Sequence, residues 1–242
     1  MIPSPLIPSL SSPDRRTVLD VGHVHLIEHW GSDERIIEAA RMSTGKGFQG
    51  WESDAKLLAY LYNNNHATPF EMAGMVVEVK APIFVFREWH RHRTQSYNEM
   101  SARYVPLPDE NYIPTPERCL IVSGANKQAN AAPGAQALTH ESVLQWLAEL
   151  EEIYAGAERV YQSGLKRGIP KEIARLPLPV ARYSRMRASA NLRNWLAFLT
   201  LRMAPNAQQE IREYANAVGA LVANQFPRTW ALFAARRVDA GK

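Results

Sequence analysis

The strongest constraint on the fold is a long apolar stripe between residues 138 and 165. Apolar side chains recur there at alternating spacings of four and three residues, namely Val143, Leu147, Leu150, Tyr154, Ala157 and Tyr161. This spacing is the period of one face of an α-helix, and Gly164 and Gly168 are typical of a helix C-terminus. The sequence therefore predicts one long amphipathic helix, whose apolar face packs into a core or against another subunit.

The rest of the chain has mixed patterning. Alternating apolar residues predict strands at 17–30, 73–81 and 180–188. Further helices are expected to begin near Ser32, Ser53, Pro82, Pro170, Asn191 and Asn206. The expected fold class is α/β of the α+β type, with a small central sheet packed with helices and a helical C-terminal half. Residues 1–16, rich in Pro and Ser, are expected to form a flexible arm, and residues 17–242 a single domain.

Composition limits the class of protein. Among the 28 basic residues 21 are Arg and 7 are Lys, with a formal net charge of +4, which favours forked contacts to phosphates. The single cysteine, Cys119, excludes an intrachain disulfide and a multi-cysteine metal site, and fits a reducing compartment. No apolar run approaches the about 20 residues of a membrane span. We therefore expect a cytoplasmic protein with no membrane partner and no metal. No nucleic-acid partner is expected either, although the composition by itself leaves a nucleic-acid-binding module open as an alternative.

A polar stretch near the middle of the chain is the candidate binding site. Residues 91–104 read RHRTQSYNEMSARY, in which only Met100 and Ala102 are apolar. The guanidinium group of arginine matches the geometry of phosphate and carboxylate groups, and tyrosine offers a ring for stacking. The stretch favours a phosphorylated aromatic ligand over a solvated surface loop.

The same stretch resembles a known signature. The pattern R-H-R-x-x-S-x-N-E-x-S-x-R-Y is similar to that of the flavin-dependent thymidylate synthases, with every fixed position present, and a looser similarity extends from about Arg35 to Phe233. The resemblance implies methylation of dUMP to dTMP without a cysteine nucleophile. It implies FAD as cofactor, NADPH as reductant and methylenetetrahydrofolate as carbon donor, with release of tetrahydrofolate. It also implies a homotetramer whose active sites combine residues from several subunits.

Residue roles follow from the same resemblance. The positions expected to contact dUMP are Glu88, Arg91, Glu99, Met100, Ser101, Ala102, Arg103, Arg175 and Arg202. Arg202 is expected to be the catalytic residue, because a fixed cation beside the pyrimidine stabilises the anion formed when uracil loses its ring proton. Ser101 and Arg103, with backbone N–H groups between residues 99 and 103, are expected to hold dUMP; a hydroxyl, a guanidinium group and amides can together bind a phosphate. Ser101 is expected to bind the ligand and not to attack it.

A second set of positions matches flavin contacts of the family. These are Ser43, His66, Thr68, Glu71, Arg91, His92, Arg93, Glu99, Asn191 and Arg193. Thr68 and Glu71 also have the spacing of a capping box, in which they would only start a helix or turn. Two positions depart from the family pattern, because Asn206 stands where His is usual and Ala197 where a polar residue is common.

Three alternatives remain open at this point. The two departures suggest a relative that binds flavin or nucleotide without turnover. The combination of Arg, Tyr and Trp is also found in nucleic-acid-binding modules. A zinc site built from His66, His90 and His92 is a third alternative, although residues two apart on a helix point to different sides.

Overall fold

A computed structural model describes residues 13–122, 129–131 and 135–240 of the chain. Five strands form one sheet in the order β1-β2-β3-β5-β4. They are β1 (Arg15–Val18), β2 (Gly22–Trp30), β3 (Gly74–Pro82), β4 (Ser96–Glu99) and β5 (Tyr183–Asn191). The helices are α1 (Asp33–Arg41), α2 (Trp51–Asn63), α3 (Ile83–Trp89), α4 (Pro116–Leu120), α5 (His140–Lys166), α6 (Lys171–Ala174), α7 (Leu192–Arg202), α8 (Gln209–Gln225) and α9 (Pro227–Ala240). The predicted fold class is confirmed.

The described residues group into two compact units. The first unit contains the described residues up to Lys80, Arg87–Glu99 and those from Arg185 onward. The second unit contains Ala81–Phe86 and the described residues from Met100 to Ser184. The single domain expected for residues 17–242 stays a prediction.

The sheet gives the first unit its core. Strand β3 alternates between the wholly buried Met75, Val77 and Val79 and the more exposed residues between them, as expected for a sheet with one covered face. Helix α8 packs against β1 and β2, and the Tyr214 hydroxyl donates a 2.7 Å hydrogen bond to the Lys80 carbonyl oxygen. The Trp195 indole N–H likewise donates to the carbonyl oxygen of Met75 at 3.1 Å. Helices α7 and α8 are thereby fixed to the central strand.

The long helix α5 is the main element of the second unit and confirms the amphipathic helix predicted between residues 138 and 165. It begins with a capping box formed by Thr139 and Ser142, which satisfies backbone N–H groups that a helix leaves unbonded at its start. Val143, Leu147 and Tyr161 of the predicted stripe are buried. The remaining stripe residues are half-buried.

Several predicted strand boundaries change. The strand predicted over 180–188 is β5, Tyr183–Asn191, three residues later. The strand predicted over 17–30 is two antiparallel strands, β1 and β2, joined by a turn in which Leu19 has a φ of 56°. β1 begins at Arg15, two residues inside the predicted arm, because Arg15 and Arg16 pair with His25 and Val24. The first twelve residues of that arm lie outside the described residues.

Two helix starts were predicted correctly from a local cap, whereas α4, which the Thr115 side chain caps locally, was not predicted. Ser32 and Asn191 cap α1 and α7 by accepting hydrogen bonds from backbone N–H groups three residues on. The predictions for Ser53 and Asn206 were wrong, because α2 begins after Gly50 and α8 after Gln208.

Helix α9 was not predicted at all. The Asp33 carboxylate accepts hydrogen bonds from the N–H groups of Arg228 and Thr229, at 2.8 and 3.2 Å. This cap comes from a residue almost two hundred positions away, so no local sequence pattern predicts it.

No helix in the described part of the chain is long and apolar enough to cross a membrane.

Candidate active site

The signature stretch, which starts at Arg91, begins just after α3. Helix α3 ends at Trp89. The Tyr97 hydroxyl donates to the carbonyl oxygens of Trp89, at 3.2 Å, and of His92, at 2.7 Å. Burial raises the pKa of Tyr97 to about 12, so the phenol keeps the proton that it donates. Tyr97 thus ties the segment after α3 into a tight turn that leads into β4.

Two predicted site residues, Glu88 and His92, contact a third, Arg202, on the last turn of α7. One Arg202 Nη donates to a Glu88 carboxylate oxygen at 2.5 Å, and the other to the Glu88 carbonyl oxygen at 2.8 Å. The Nε–H group donates to Nε2 of His92 at 2.8 Å. The guanidinium plane is therefore fixed on two edges by Glu88 and His92.

His92 is neutral in this arrangement. Burial, and then the positive charge of Arg202, lower the pKa of His92 to about 4, against a smaller opposing effect of the Glu88 carboxylate. The ring also packs edge-on against Phe198, with centroids 4.9 Å apart. An unprotonated Nε2 is what the Arg202 N–H group requires as its acceptor.

The structure brings two of the predicted flavin segments together. Thr68 and Glu71 belong to a short 3-10 turn, Thr68–Met72, and the Glu71 carboxylate forms an ion pair with Arg193 on the first turn of α7. The capping-box interpretation is wrong, because Ala67 occupies the cap position and makes no side-chain cap bond. Asn191 caps α7 and so fixes the first helical turn, from which the Arg193 side chain projects.

The other predicted flavin residues lie at the surface of the first unit. Arg91 and Arg93 are exposed on the turn after α3, and Glu99 is exposed at the end of β4. His66 is exposed, with its ring centroid 5.5 Å from that of Tyr60. Ser43 is exposed on a 3-10 turn and donates to the Ala40 carbonyl oxygen at 3.3 Å.

The predicted dUMP residues of the second unit share one surface. Ser101 begins a turn, because its carbonyl oxygen accepts hydrogen bonds from the N–H groups of Tyr104 and Val105, at 3.0 and 3.2 Å. The Ser101 hydroxyl accepts one from the Arg103 N–H group at 3.3 Å. Ala102 is buried and anchors this turn, while the adjoining Met100 is half-buried.

Helix α6 adds charged groups to that surface. The Arg103 Nε lies 3.7 Å from a Glu172 carboxylate oxygen. Arg175 is exposed just after α6, and its Nε donates a long 3.4 Å hydrogen bond to the Glu172 carbonyl oxygen. Lys171, which the sequence did not single out, donates to the Tyr104 carbonyl oxygen at 2.8 Å and ties α6 to the Ser101 turn.

The histidines of the zinc alternative do not form a ligand set. The His90 Nε2 lies 3.0 Å from the Met186 sulfur, and the His92 Nε2 accepts from Arg202. In the described residues no three His, Cys, Asp or Glu side chains are grouped so as to hold a metal ion.

Comparison with known proteins identifies the family. Residues 25–228 match the family model Thy1, described as thymidylate synthase complementing protein. A flavin-dependent thymidylate synthase from Thermus thermophilus is 42% identical over 216 residues, which are 89% of this chain and 77% of that protein. One from Treponema denticola is 41% identical over 201 residues, which are 82% of this chain and 73% of that protein. The crystal structure of a UMP/dUMP methylase, PolB, from Streptomyces cacaoi bound with 5-Br dUMP superposes with a TM-score of 0.78 at 32% identity, and the match covers 90% of this chain and 97% of PolB. This chain belongs to the flavin-dependent thymidylate synthase family.

Proposed function

We propose that this protein methylates dUMP to dTMP with FAD as cofactor, methylenetetrahydrofolate as carbon donor and NADPH as reductant, and without a cysteine nucleophile. The observation that carries the proposal is the fixed Arg202, held by Glu88 and His92, in a chain that has the complete signature of the family. A fixed and permanently charged group suits a reaction in which negative charge develops on a pyrimidine ring.

The second unit supplies the groups for the phosphate of dUMP. Ser101 offers a hydroxyl, Arg103 and Arg175 offer exposed guanidinium groups, and Met100 and Ala102 contribute backbone. Charge-assisted hydrogen bonds from arginine are stronger than neutral ones and match the oxygens of a phosphate. Within the described residues the Ser101 hydroxyl makes no hydrogen bond to a histidine or a carboxylate that could activate it. This supports a role for Ser101 in binding the phosphate and not in nucleophilic attack.

Arg202 is the group for the pyrimidine. The carboxylate of Glu88 and the neutral ring of His92 fix its plane in advance of binding, which avoids reorganisation when charge develops on the ring. Arg202 cannot lose its proton at physiological pH, so its role is electrostatic and not that of a general base. Glu88 and Arg91 are the adjoining residues for the nucleotide.

The residues for FAD fit the chemistry of the cofactor. The exposed guanidinium groups of Arg91 and Arg93 match a diphosphate. The ion pair of Glu71 with Arg193 places a carboxylate and a guanidinium group side by side. The remaining members of the flavin set are His66, Thr68, Ser43, His92, Glu99 and Asn191. These residues would hold FAD, which would supply the carbon-transfer and hydride chemistry that amino-acid side chains lack.

The surroundings of Cys119 support a mechanism without a thiol nucleophile. Cys119 is half-buried on α4 and lines an apolar cavity of about 260 Å³ with Leu138, Ser142, Val143 and Trp146. Nucleophilic cysteines lie in electropositive surroundings that favour the thiolate. Cys119 is better explained as part of the packing between α4 and α5.

A cytoplasmic homotetramer with shared active sites, and no nucleic-acid or membrane partner, completes the proposal. Its support in this chain is the outer surface of α5, where Trp146, Ile153 and Val160 are between 49% and 64% exposed. Several large apolar side chains exposed on one helix are typical of a surface that another chain covers.

The alternative of a relative without turnover rests on two positions. Ala197 is exposed on α7, the helix that carries Arg193 and Arg202, and offers no polar group there. Asn206 is exposed before α8 and cannot become a cation, unlike the histidine that is usual in the family. Both positions concern flavin contacts and leave the residues for dUMP unchanged.

The deciding experiment is product analysis with isotopically labelled methylenetetrahydrofolate. The proposal predicts labelled dTMP and tetrahydrofolate only when dUMP, FAD and NADPH are all present. Release of dihydrofolate would contradict the proposed route. Tight binding of FAD and dUMP with no dTMP would support the alternative without turnover.

A further inference from the structure

Arg182 is a wholly buried cation in the second unit, and its guanidinium group joins three segments of the chain. One Nη donates to the Pro108 carbonyl oxygen at 2.7 Å and to an Asp109 carboxylate oxygen at 2.9 Å. The other Nη donates to a Glu158 carboxylate oxygen, on α5, at 2.5 Å. The Arg182 side chain has an exposed fraction of 0%. No role in flavin or nucleotide binding accounts for it.

The first segment held by Arg182 is the one that follows Ser101 and Arg103. Backbone pairing fixes the same segment, because Asn111 forms a bridge with Arg182 and the Tyr183 N–H group donates to the Glu110 carbonyl oxygen at 2.8 Å. The chain between Arg103 and Pro108 is anchored at the buried Leu107. The position of the segment downstream of the phosphate-binding turn is therefore set jointly by this backbone pairing and by the Arg182 guanidinium group.

The other two segments lead to Arg175. Glu158 lies on α5, which packs against α6, the helix that directly precedes Arg175. Arg182 itself follows Arg175 by seven residues, and its N–H group donates to the Pro179 carbonyl oxygen at 3.0 Å. The two proposed phosphate-binding segments, around Ser101 and around Arg175, are thus both linked through neighbouring residues to one buried guanidinium group.

Lysine could not reproduce this arrangement. Arginine presents five N–H donors in a rigid fork, whereas lysine is a flexible point charge. A lysine at position 182 could keep the charge beside Glu158 but could not also hold the Pro108 carbonyl oxygen in the same geometry. A buried cation without a paired anion is strongly unfavourable, which explains why Glu158 accompanies Arg182.

We infer that Arg182 is a positioning residue for the phosphate of dUMP: it holds the Ser101–Arg103 turn and Arg175 at the separation that the phosphate requires. The inference rests on the proposed function. It assigns to Arg182 no contact with the nucleotide. Its loss should therefore weaken binding of the phosphate and leave flavin binding and the chemical step unchanged.

The test compares two ligands that differ only in the phosphate, dUMP and deoxyuridine. In the FAD-loaded full-length protein, Arg182→Lys should raise the Kd and KM for dUMP at least about tenfold. The inhibition constant of deoxyuridine should change less than about twofold, and kcat at saturating dUMP less than about threefold. Arg159→Lys is the matched control, because Arg159 is an exposed α5 residue beside Glu158; it should leave all of these values unchanged.

A second variant covers the case in which Arg182→Lys does not fold. The double substitution Arg182→Leu and Glu158→Leu removes both charges of this closely packed pair together, so neither is left without the other. Asp109 also loses Arg182, but its side chain is 58% exposed, so water solvates its charge. It should show the same selective loss of dUMP affinity. A folded variant that binds dUMP as the wild type does, or one that loses dUMP and deoxyuridine affinity by the same factor, would overturn the inference. Wild-type protein that binds no dUMP would instead overturn the proposed function.

Discussion

The Nε–H group of Arg202 donates a 2.8 Å hydrogen bond to Nε2 of His92. The bond joins the last turn of α7 to the middle residue of the RHR sequence, 110 residues earlier in the chain. Because Arg202 is always protonated, Nε2 must be the unprotonated nitrogen, and the ring proton is on Nδ1. With Glu88 on the other edge of the guanidinium plane, the orientation of Arg202 depends on two neighbours that differ in charge.

The state of His92 predicts a dependence of stability on pH. The pKa of His92 is about 4 in the folded protein, against a usual 6.5, so the unfolded chain binds a proton between these values and the folded chain does not. The contribution of His92 to the free energy of unfolding is therefore fully present above about pH 6.5 and is lost as the pH falls toward 4. Between pH 7 and 5 the loss should be roughly 1 kcal/mol, because solvent screens a half-buried ring.

Urea unfolding of the wild type and of His92→Asn at the two pH values measures this loss. Asn can accept a hydrogen bond from Arg202 but has no proton to gain in this range. The variant should therefore lack that part of the pH dependence. Equal pH dependence in the two proteins would show that His92 is not the group responsible.

Arg202→Ala should abolish methylation while the protein keeps its flavin. Loss of a preorganised electrostatic group at the reacting ring lowers kcat by a factor of about 100 or more. Arg202→Lys should be nearly as inactive, because lysine cannot bond to Glu88 and His92 along two edges. The measurement is the rate of dTMP formation beside the flavin content of each variant. An active Arg202→Ala enzyme would contradict the role of Arg202 at the pyrimidine.

Glu172→Gln should bind dUMP more tightly than the wild type. The Glu172 carboxylate lies 3.7 Å from Arg103, where it competes with a phosphate for the same guanidinium group. Exposed ion pairs of this kind contribute less than about 1 kcal/mol, so the expected gain in affinity is about two- to fivefold. Glu152→Gln, an exposed α5 residue in the same unit, is the control for the change in net charge. Titration calorimetry that finds weaker binding in Glu172→Gln would mean that the carboxylate assists the ligand.

Ser101→Ala should keep measurable activity. The hydroxyl accepts a hydrogen bond from the Arg103 N–H group and is proposed to donate one to the phosphate. Loss of a hydrogen bond to a charged group costs about 1.5 to 3 kcal/mol, so the KM for dUMP should rise about 10- to 100-fold with kcat largely kept. Steady-state kinetics of dTMP formation give both values. Isolation of a covalent adduct between Ser101 and dUMP would contradict this role.

Local chemistry made part of the fold predictable, although α4, which Thr115 caps locally, was missed. The stripe around Val143 and Leu147 specified α5, and the side chains of Ser32 and Asn191 specified two helix starts. Prediction failed where a distant group supplies the hydrogen bond. The Asp33 carboxylate caps α9, and no pattern near residue 227 reveals it.

The site was predictable as a set of residues but not as a geometry. The signature and the positions of Arg175 and Arg202 followed from the resemblance to the family. The bond from Arg202 to His92, the Tyr97 bonds that end α3 and the buried fork of Arg182 did not. The contacts of Arg202 with His92 and of Arg182 with Glu158 join residues that only the packing of whole elements brings together. The Tyr97 bonds are local, but they depend on the turn after α3, which the residue types did not specify.

The most direct test of the central claim is the visible spectrum of the purified protein. We expect a yellow protein with the absorption of oxidised FAD, which bleaches on anaerobic addition of NADPH. Addition of methylenetetrahydrofolate and dUMP should restore the oxidised spectrum as dTMP forms. A colourless protein that takes up no added FAD and makes no dTMP would contradict the central claim.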